Sequence, residues 1–319
     1  MPIFQIHHIT KYEYDRPVKE STNEIKVFPY FNSEQEVLNH ELNITDNAEV
    51  YVFNDYWNNR VGSFNVASAH KELVIESKLT VRTIQKSHSI ENSNYSFSEL
   101  NDEVKSNLFL LELATPDDIK ELNAVNEIIH SLQPQFINVT KTVQLCSEYI
   151  FKNFKYIKGI TNIETTIDEI LEHRSGVCQD FAHVLLQLLR TIGIPSRYVS
   201  GYICPNKNGM RGEGATHAWV EAYIPKYGWA GIDPTNNVWT TDHHVKLAVG
   251  KEFADCTPVK GTFKGQARQR LSVYVSVGYE DGHTFKEHTD VNLHTFEDND
   301  ENIPPPVDIL AAQEQQQQQ

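Results

Sequence analysis

The sequence predicts an α+β protein, with an N-terminal β-sandwich followed by an α+β core that carries the chemistry. Three patterns support this. Residues 1 to about 85 alternate apolar and polar with a period of two, as half-buried strands do. Phe181, Ala182, Val184, Leu185, Leu188, Leu189 and Ile192 recur at three- and four-residue spacings, which is one face of a helix. Period-two alternation resumes over 216–224, and 229–233 returns beyond a turn at Pro225–Gly228. At 319 residues the chain has room for two domains and a sizeable core.

In chain order, Phe4, Ile6, Tyr12 and Tyr14 mark one strand, and Leu73, Ile75, Leu79 and Val81 another. Asn58-Asn59 reads as a hairpin turn between Tyr51-Val52-Phe53 and Val61-Gly62-Ser63-Phe64. These elements form a β-sandwich domain over residues 1–90. The Ser- and Asn-rich stretch 86–98 is a linker, and residues 91–135 hold the linker and one connecting helix. That helix is expected to start at Thr115-Pro116-Asp117-Asp118, with a cap, a proline and first-turn acids, and to continue through Ile119, Leu122, Ile128, Ile129 and Leu132. A catalytic domain is expected over 136–290. It has a helix on Val143, Cys146 and Ile150, a capping box at Thr166–Glu169, the helix after Ser175, and strands to about 239. Ser175 is the expected N-cap of that helix; Gly193 and Pro195 end it. Residues 271–279 alternate cleanly and extend this domain by one strand. The acidic, Pro- and Gln-rich tail 291–319 is expected to be disordered.

Chemistry gathers at three residues. Cys178 follows Gly176 in the first turn of the amphipathic helix, where unpaired N–H groups and the positive dipole end favour thiolate. His217 shares a strand face with Trp219, Glu221 and Tyr223. A hairpin pairing Tyr223 with Trp229 sets Asp233 opposite Trp219 and diagonal to His217, about 7–8 Å away at the backbone and so within side-chain reach. A one-residue slip would turn Asp233 to the wrong side. Taken singly, a free cysteine is usually a small buried hydrophobe, and Asp before Pro is usually a turn residue. The ordered set Cys, His, Asp on helix, strand and strand is what points to attack on an acyl group by sulfur.

Gly176-Val177-Cys178-Gln179-Asp180-Phe181-Ala182-His183, Thr216-His217-Ala218-Trp219-Val220-Glu221 and Asp233-Pro234-Thr235-Asn236 resemble the three motif blocks of the bacterial transglutaminase-like family. The run Ala248–Asp255 and the N-terminal segments Tyr12–Val18 and Asn54–Asn59 are similar to it as well, so the resemblance spans residues 1 to about 280. It implies a papain-like/transglutaminase-like α+β catalytic core and an acyl-thioester intermediate, in a transglutaminase, protease or amidase. By position, Cys178 would be the nucleophile, His217 the general base and acid, and Asp233 its orienter. The Cys178 N–H and the Tyr156 hydroxyl would serve as oxyanion donors. Trp219 and Gln179 are the candidate substrate contacts. Asn58 stands where the family usually has Gly, and Asn tolerates the left-handed backbone.

Composition bounds the partners. A net charge of −15 argues against general affinity for nucleic acid or an anionic membrane. The expected partner is a peptide or protein substrate. Cys146, Cys178, Cys204 and Cys256 show no paired spacing, and no His-rich ligand pattern or acidic calcium loop occurs, so no metal and no cofactor is expected. His243-His244 would point apart on a strand. The N-terminus lacks the parts of a signal peptide and no apolar run approaches about 18 residues, which fits a cytoplasmic location. No Gly-x-Ser-x-Gly elbow suggests a serine hydrolase. The expected activity is therefore thiol-dependent acyl transfer or hydrolysis at amide or isopeptide bonds, with hydrolysis favoured because water is always present. The alternative is an inactive binding module on the same scaffold.

Overall fold

A computed structural model describes residues 1–84, 90, 94–134, 137–158, 160, 165–204, 210–211, 216–279 and the strand backbone of 284–293. Two sheets form the N-terminal layer. The first joins β16 (Thr284–Leu293), β15 (Gln269–Tyr279), β1 (Ile3–Val18), β6 (His70–Thr83) and β3 (Gln35–Ile44), in that order. The second joins β14 (Val259–Lys264), β2 (Glu20–Ile25), β5 (Arg60–Val66) and β4 (Tyr51–Asn54). Alternate residues of β1 are buried along most of its length, as its period-two pattern requires. Phe4, Ile6 and Tyr12 meet Leu73, Ile75, Ile25, Phe64 and Val66 in one core. The β4–β5 turn holds Asn58 at φ +65°. The Asp55 carboxylate accepts from Trp57 N, Asn59 N and Asn59 Nδ2 at 3.0, 2.8 and 3.0 Å.

The strand expected to extend the catalytic domain belongs to this layer instead. β15 runs antiparallel to β1, with Phe4 facing Tyr279 and Tyr14 facing Gln269. β14 likewise pairs with β2. Leu271, Val273, Val275 and Val277 fill the sandwich core. Periodicity identifies a strand, while the sheet it joins is set by which apolar face needs covering. The following strand, β16, also runs past 290 to Leu293; residues 294–319 of the expected tail lie outside the described residues.

The middle of the chain is more helical than its composition suggested. Of the expected linker, residues 85–89 and 91–93 lie outside the described residues; α1 (Phe97–Lys105) then starts on a Ser96/Glu99 capping box, and α2 (Leu108–Leu113) on Asn107. The helix expected at Thr115 begins only at α3 (Leu122–Leu132). Asp117 is used elsewhere: its N–H and C=O bond the Gln187 amide at 3.1 Å each, and its carboxylate meets Arg190 at 3.4 Å. Tertiary pairing thus overrides a local helix-start signal. α4 (Val139–Asn153) is capped by Asn138 and α5 (Ile167–His173) by the Thr166/Glu169 box. α6 (Cys178–Ile192) ends on Gly193 at φ +88°, and a short α7 (Phe253–Cys256) follows later.

A third sheet of order β12 (Val238–Trp239), β11 (Gly228–Asp233), β10 (Thr216–Ile224), β9 (Ser196–Ile203) and β13 (His244–Gly250) faces α6. Ala218, Val220, Ala222 and Ile224 pack on Phe181, Val184 and Leu185 of that helix. The opposite face is covered by the N-terminal layer: Tyr202, Val245 and Leu247 enter the sandwich core, and Tyr30 and Trp57 close over Val199, Trp219 and Val249. Every residue of β9 and β13 is therefore buried. β7 (Lys155–Tyr156) and β8 (Ser175–Gly176) form a small parallel pair beside α6.

The outer edge of β13 is capped by side-chain amides. Gln35 Oε1 accepts from Lys246 N at 2.9 Å and its Nε2 donates to Lys246 O at 2.8 Å. Asn59 does the same at Val249, 2.8 Å each way. Two amides thus replace a neighbouring strand and satisfy backbone groups that water cannot reach. Beneath them, buried Glu221 is paired with Arg197 at 2.7 Å and with Lys246. Burial alone would raise the Glu221 carboxyl, but the charges of Lys246 and Arg197 hold it down at about 2.

Two outcomes follow. Asn59→Ala leaves the Val249 N–H and C=O buried without partners, so denaturant unfolding should show a loss of about 2–4 kcal/mol. Because the Glu221 carboxyl is depressed on folding, its stabilisation is present above about pH 4.5 and is lost as pH falls towards 2. Glu221→Gln should lose that part of the pH dependence in unfolding titrations. At neutral pH it should be less stable by about 3–5 kcal/mol, since two buried cations lose their partner.

Candidate active site

The start of α6 is built around an acid. Val177, not Ser175, is the N-cap, and Cys178 is the first helical residue. Val177 has no side-chain acceptor, so the Asp180 carboxylate folds back and accepts its N–H at 2.8 Å. A Cβ at Gly176 would lie 2.4 Å from Asp180 Oδ2, so only glycine admits the carboxylate. Ser175 instead belongs to β8, which pairs with β7 and sets Tyr156 beside Gly176. The Tyr156 ring meets Phe181 edge-on at 6.2 Å.

The β10–β11 hairpin has the expected register, Tyr223 against Trp229 and Val220 against Ile232. Asp233 and His217 therefore point to one side. His217 Nε2 and Asp233 Oδ2 are 2.8 Å apart, and both residues are fully buried. Asp233 also accepts from Thr235 N at 2.9 Å through Oδ1 and from Asn236 Nδ2 at 2.7 Å through Oδ2. Burial would raise its carboxyl, but the charge and hydrogen bond of His217, with help from His244, hold it far below the ordinary range. Burial likewise pushes His217 down, and the charges of Asp233 and Cys178 more than reverse this, so its imidazole is more basic than usual. Cys178 lies within electrostatic and hydrogen-bonding reach of that ring. With Nε2 committed to Asp233, Nδ1 is the nitrogen left to serve the sulfur.

Two neighbours had no role in the sequence reading. Asn236 was quoted only as part of a motif block. His244 does turn away from His243, but it turns toward the carboxylate. Its Nδ1 accepts from Thr241 N at 3.2 Å, which leaves the proton on Nε2, 3.7 Å from Asp233 Oδ2. Its ring meets Trp219 edge-on at 5.3 Å, and Trp219 in turn stacks on His217 at 6.4 Å. Burial lowers the His244 imidazole despite the nearby acid. No local pattern announces this residue, because its strand meets the hairpin only through β9.

The remaining candidates lie around Cys178, His217 and Asp233. Trp219 is buried; with His244, Tyr227, Trp239 and Gln144 it lines a cavity of about 680 Å³ between the third sheet and the N-terminal layer. Gln179 is buried beside Cys178, and its Oε1 has no hydrogen-bond partner among the described residues. Among the described residues no group of three or more His, Cys, Asp or Glu could hold a metal ion, and no helix is long and apolar enough to cross a membrane.

Comparison with known proteins agrees with this geometry. The transglutaminase-like superfamily core matches residues 125–234, and the bacterial transglutaminase-like N-terminal region matches residues 4–82. An uncharacterized protein of Mycobacterium leprae is 31% identical over 280 residues, covering 86% of this chain and 97% of its own. A protein-glutamine gamma-glutamyltransferase of Pseudomonas aeruginosa is 36% identical over 83 residues, 24% of this chain and 12% of its own. The fold is that of a solved Cytophaga hutchinsonii structure, a proposed cysteine protease, at TM-score 0.68 and 23% identity, with 93% of this chain and 95% of that one covered. The chain belongs to the transglutaminase-like superfamily, with the bacterial N-terminal region preceding a papain-like core.

Proposed function

We propose that this chain is a cysteine-dependent enzyme that opens amide or isopeptide bonds of a peptide or protein through an acyl-thioester on Cys178, with water as the usual acceptor. The observation that carries the reading is the fully buried His217–Asp233 contact of 2.8 Å beside a cysteine that opens a helix. An imidazole made more basic by Asp233 takes the thiol proton, and the helix N-terminus favours the resulting sulfur anion. The thiolate attacks the acyl carbon and the carbonyl becomes an oxyanion. The Cys178 N–H, at the first position of α6, and the Tyr156 hydroxyl are the proposed donors to it. Imidazolium then returns its proton to the leaving amine, the C–N bond breaks and the thioester remains. Water enters, gives its proton to His217 and displaces the sulfur, releasing an acid. An added amine in place of water would give a new amide. Asp233 holds the ring in the tautomer that both halves need.

Iodoacetamide tests the reading against an inactive binding module. Cys146 is pushed up to about 12 by burial, and Cys204 and Cys256 well above the ordinary thiol range, so labelling should report Cys178 alone. It should proceed readily well below pH 8; labelling no faster than an ordinary thiol would support the binding module. An acyl adduct trapped from a peptide library and located on Cys178 by mass would identify the donor. The product mass with and without an added amine separates hydrolysis from transfer. Asp233→Asn should fold and yet lose about 10³-fold or more in kcat, because it presents the wrong hydrogen-bond partner to His217. Cys178→Ala should fold and have no turnover.

A further inference from the structure

Phe151 of α4, Tyr156 of β7 and the segment after Asp233 converge on one cation. The Arg211 guanidinium lies 4.8 Å from the centre of the Phe151 ring and 5.9 Å from that of Tyr156. Its Nη1 donates to the Thr235 carbonyl at 3.4 Å. Its backbone is tied down as well: Arg211 N donates to Asn236 Oδ1 at 2.7 Å, and Asn236 Nδ2 donates to Arg211 O at 3.2 Å. The same Asn236 Nδ2 bonds Asp233 at 2.7 Å. Arg211 is therefore one side chain removed from the His217 partner, and it rests on a ring whose backbone pairs with Gly176, two residues before Cys178.

The residue is exposed, and among the described residues no carboxylate pairs with it. Arg82, Arg190 and Arg197 each have such a partner. The nearest acid in this bonding chain, Asp233, is fully buried and committed to His217. In a chain with 43 acidic and 28 basic residues, a cation braced beside the reacting groups runs against the overall potential. Aromatic contacts and the Thr235 bond fix the position of the guanidinium but leave most of its five N–H donors without a carboxylate. That arrangement suits two-point recognition of an incoming carboxylate.

We propose that Arg211 determines specificity by binding a carboxylate of the acyl donor, so that the substrates of this site are peptides with a carboxylate close to the scissile amide. The carboxylate is either an acidic side chain next to the scissile amide or a nearby chain terminus. The inference rests on Cys178 acting as the acyl acceptor.

The test measures kcat/KM for acyl-adduct formation on Cys178 with matched peptides. One series carries Glu, Gln or Lys beside the donor group, and a second ends in a free or an amidated C-terminus. The native chain should favour the carboxylate member of one series by about tenfold or more, mostly through KM; which series responds identifies the source. Arg211→Gln should bring the carboxylate and neutral members level. Arg211→Lys, which keeps the charge and loses the fork, should fall between. Arg211→Glu should move the preference to the Lys peptide, a reversal that a merely structural residue would not produce. Equal rates for all peptides in the native chain, or a carboxylate preference surviving in Arg211→Gln, would overturn the inference while leaving the thiol chemistry standing. A Cys178 that neither labels nor forms adducts overturns the underlying reading and this inference with it.

Discussion

A carboxylate removed wholly from water must find its donors inside the protein, and the candidate site is organised by how Asp233 finds them. One oxygen accepts the Thr235 amide; the other takes His217 and Asn236, with His244 behind them at 3.7 Å. The donors come from the turn that follows Asp233 and from the neighbouring strand, and His244 from β13, three strands away across the sheet. The hairpin register is what brings them together, since a slip of one residue would send Asp233 to the helix-packed face. Unpaired, this buried charge would be intolerable; paired, it makes the His217 imidazole more basic than usual.

The N-terminal layer contributes to the same end. The face of the third sheet away from α6 has to be closed, or Trp219, Glu221 and the groups around them would meet solvent. Tyr30 and Trp57 close it, and Gln35 and Asn59 finish the outer edge of β13 with amide bonds in both directions. The Arg197–Glu221–Lys246 cluster is the charged counterpart of that closure, three ions that survive burial because each sees the other sign. The sandwich is thus one wall of the transglutaminase-like core.

Much of the site is legible in the sequence because the relevant signals are local. The helix of residues 181–192 follows from its apolar spacing, and the pairing of Tyr223 with Trp229 follows from the turn at Pro225–Gly228. What escapes is set by contacts between distant segments. Asp117 has the composition of a helix start and serves instead as a dock for Gln187 and Arg190. Ser175 is the better cap by residue type, yet Asp180 reaches back and supplies the acceptor at Val177, two positions later. His244 looks like one of many histidines until β13 is laid beside β9. The strand at 271–279 is plain from its alternation, while its partner lies at the opposite end of the chain.

That last pairing sets an order of events during synthesis. β1 is made first, and on one side it can pair with β6 as soon as residue 83 has emerged. Its other edge has to wait until translation has passed Tyr279, after the whole transglutaminase-like core has been made. Until then a 16-residue strand with buried-type side chains presents an open row of backbone groups. The nascent chain is closed, in effect, by its own far end.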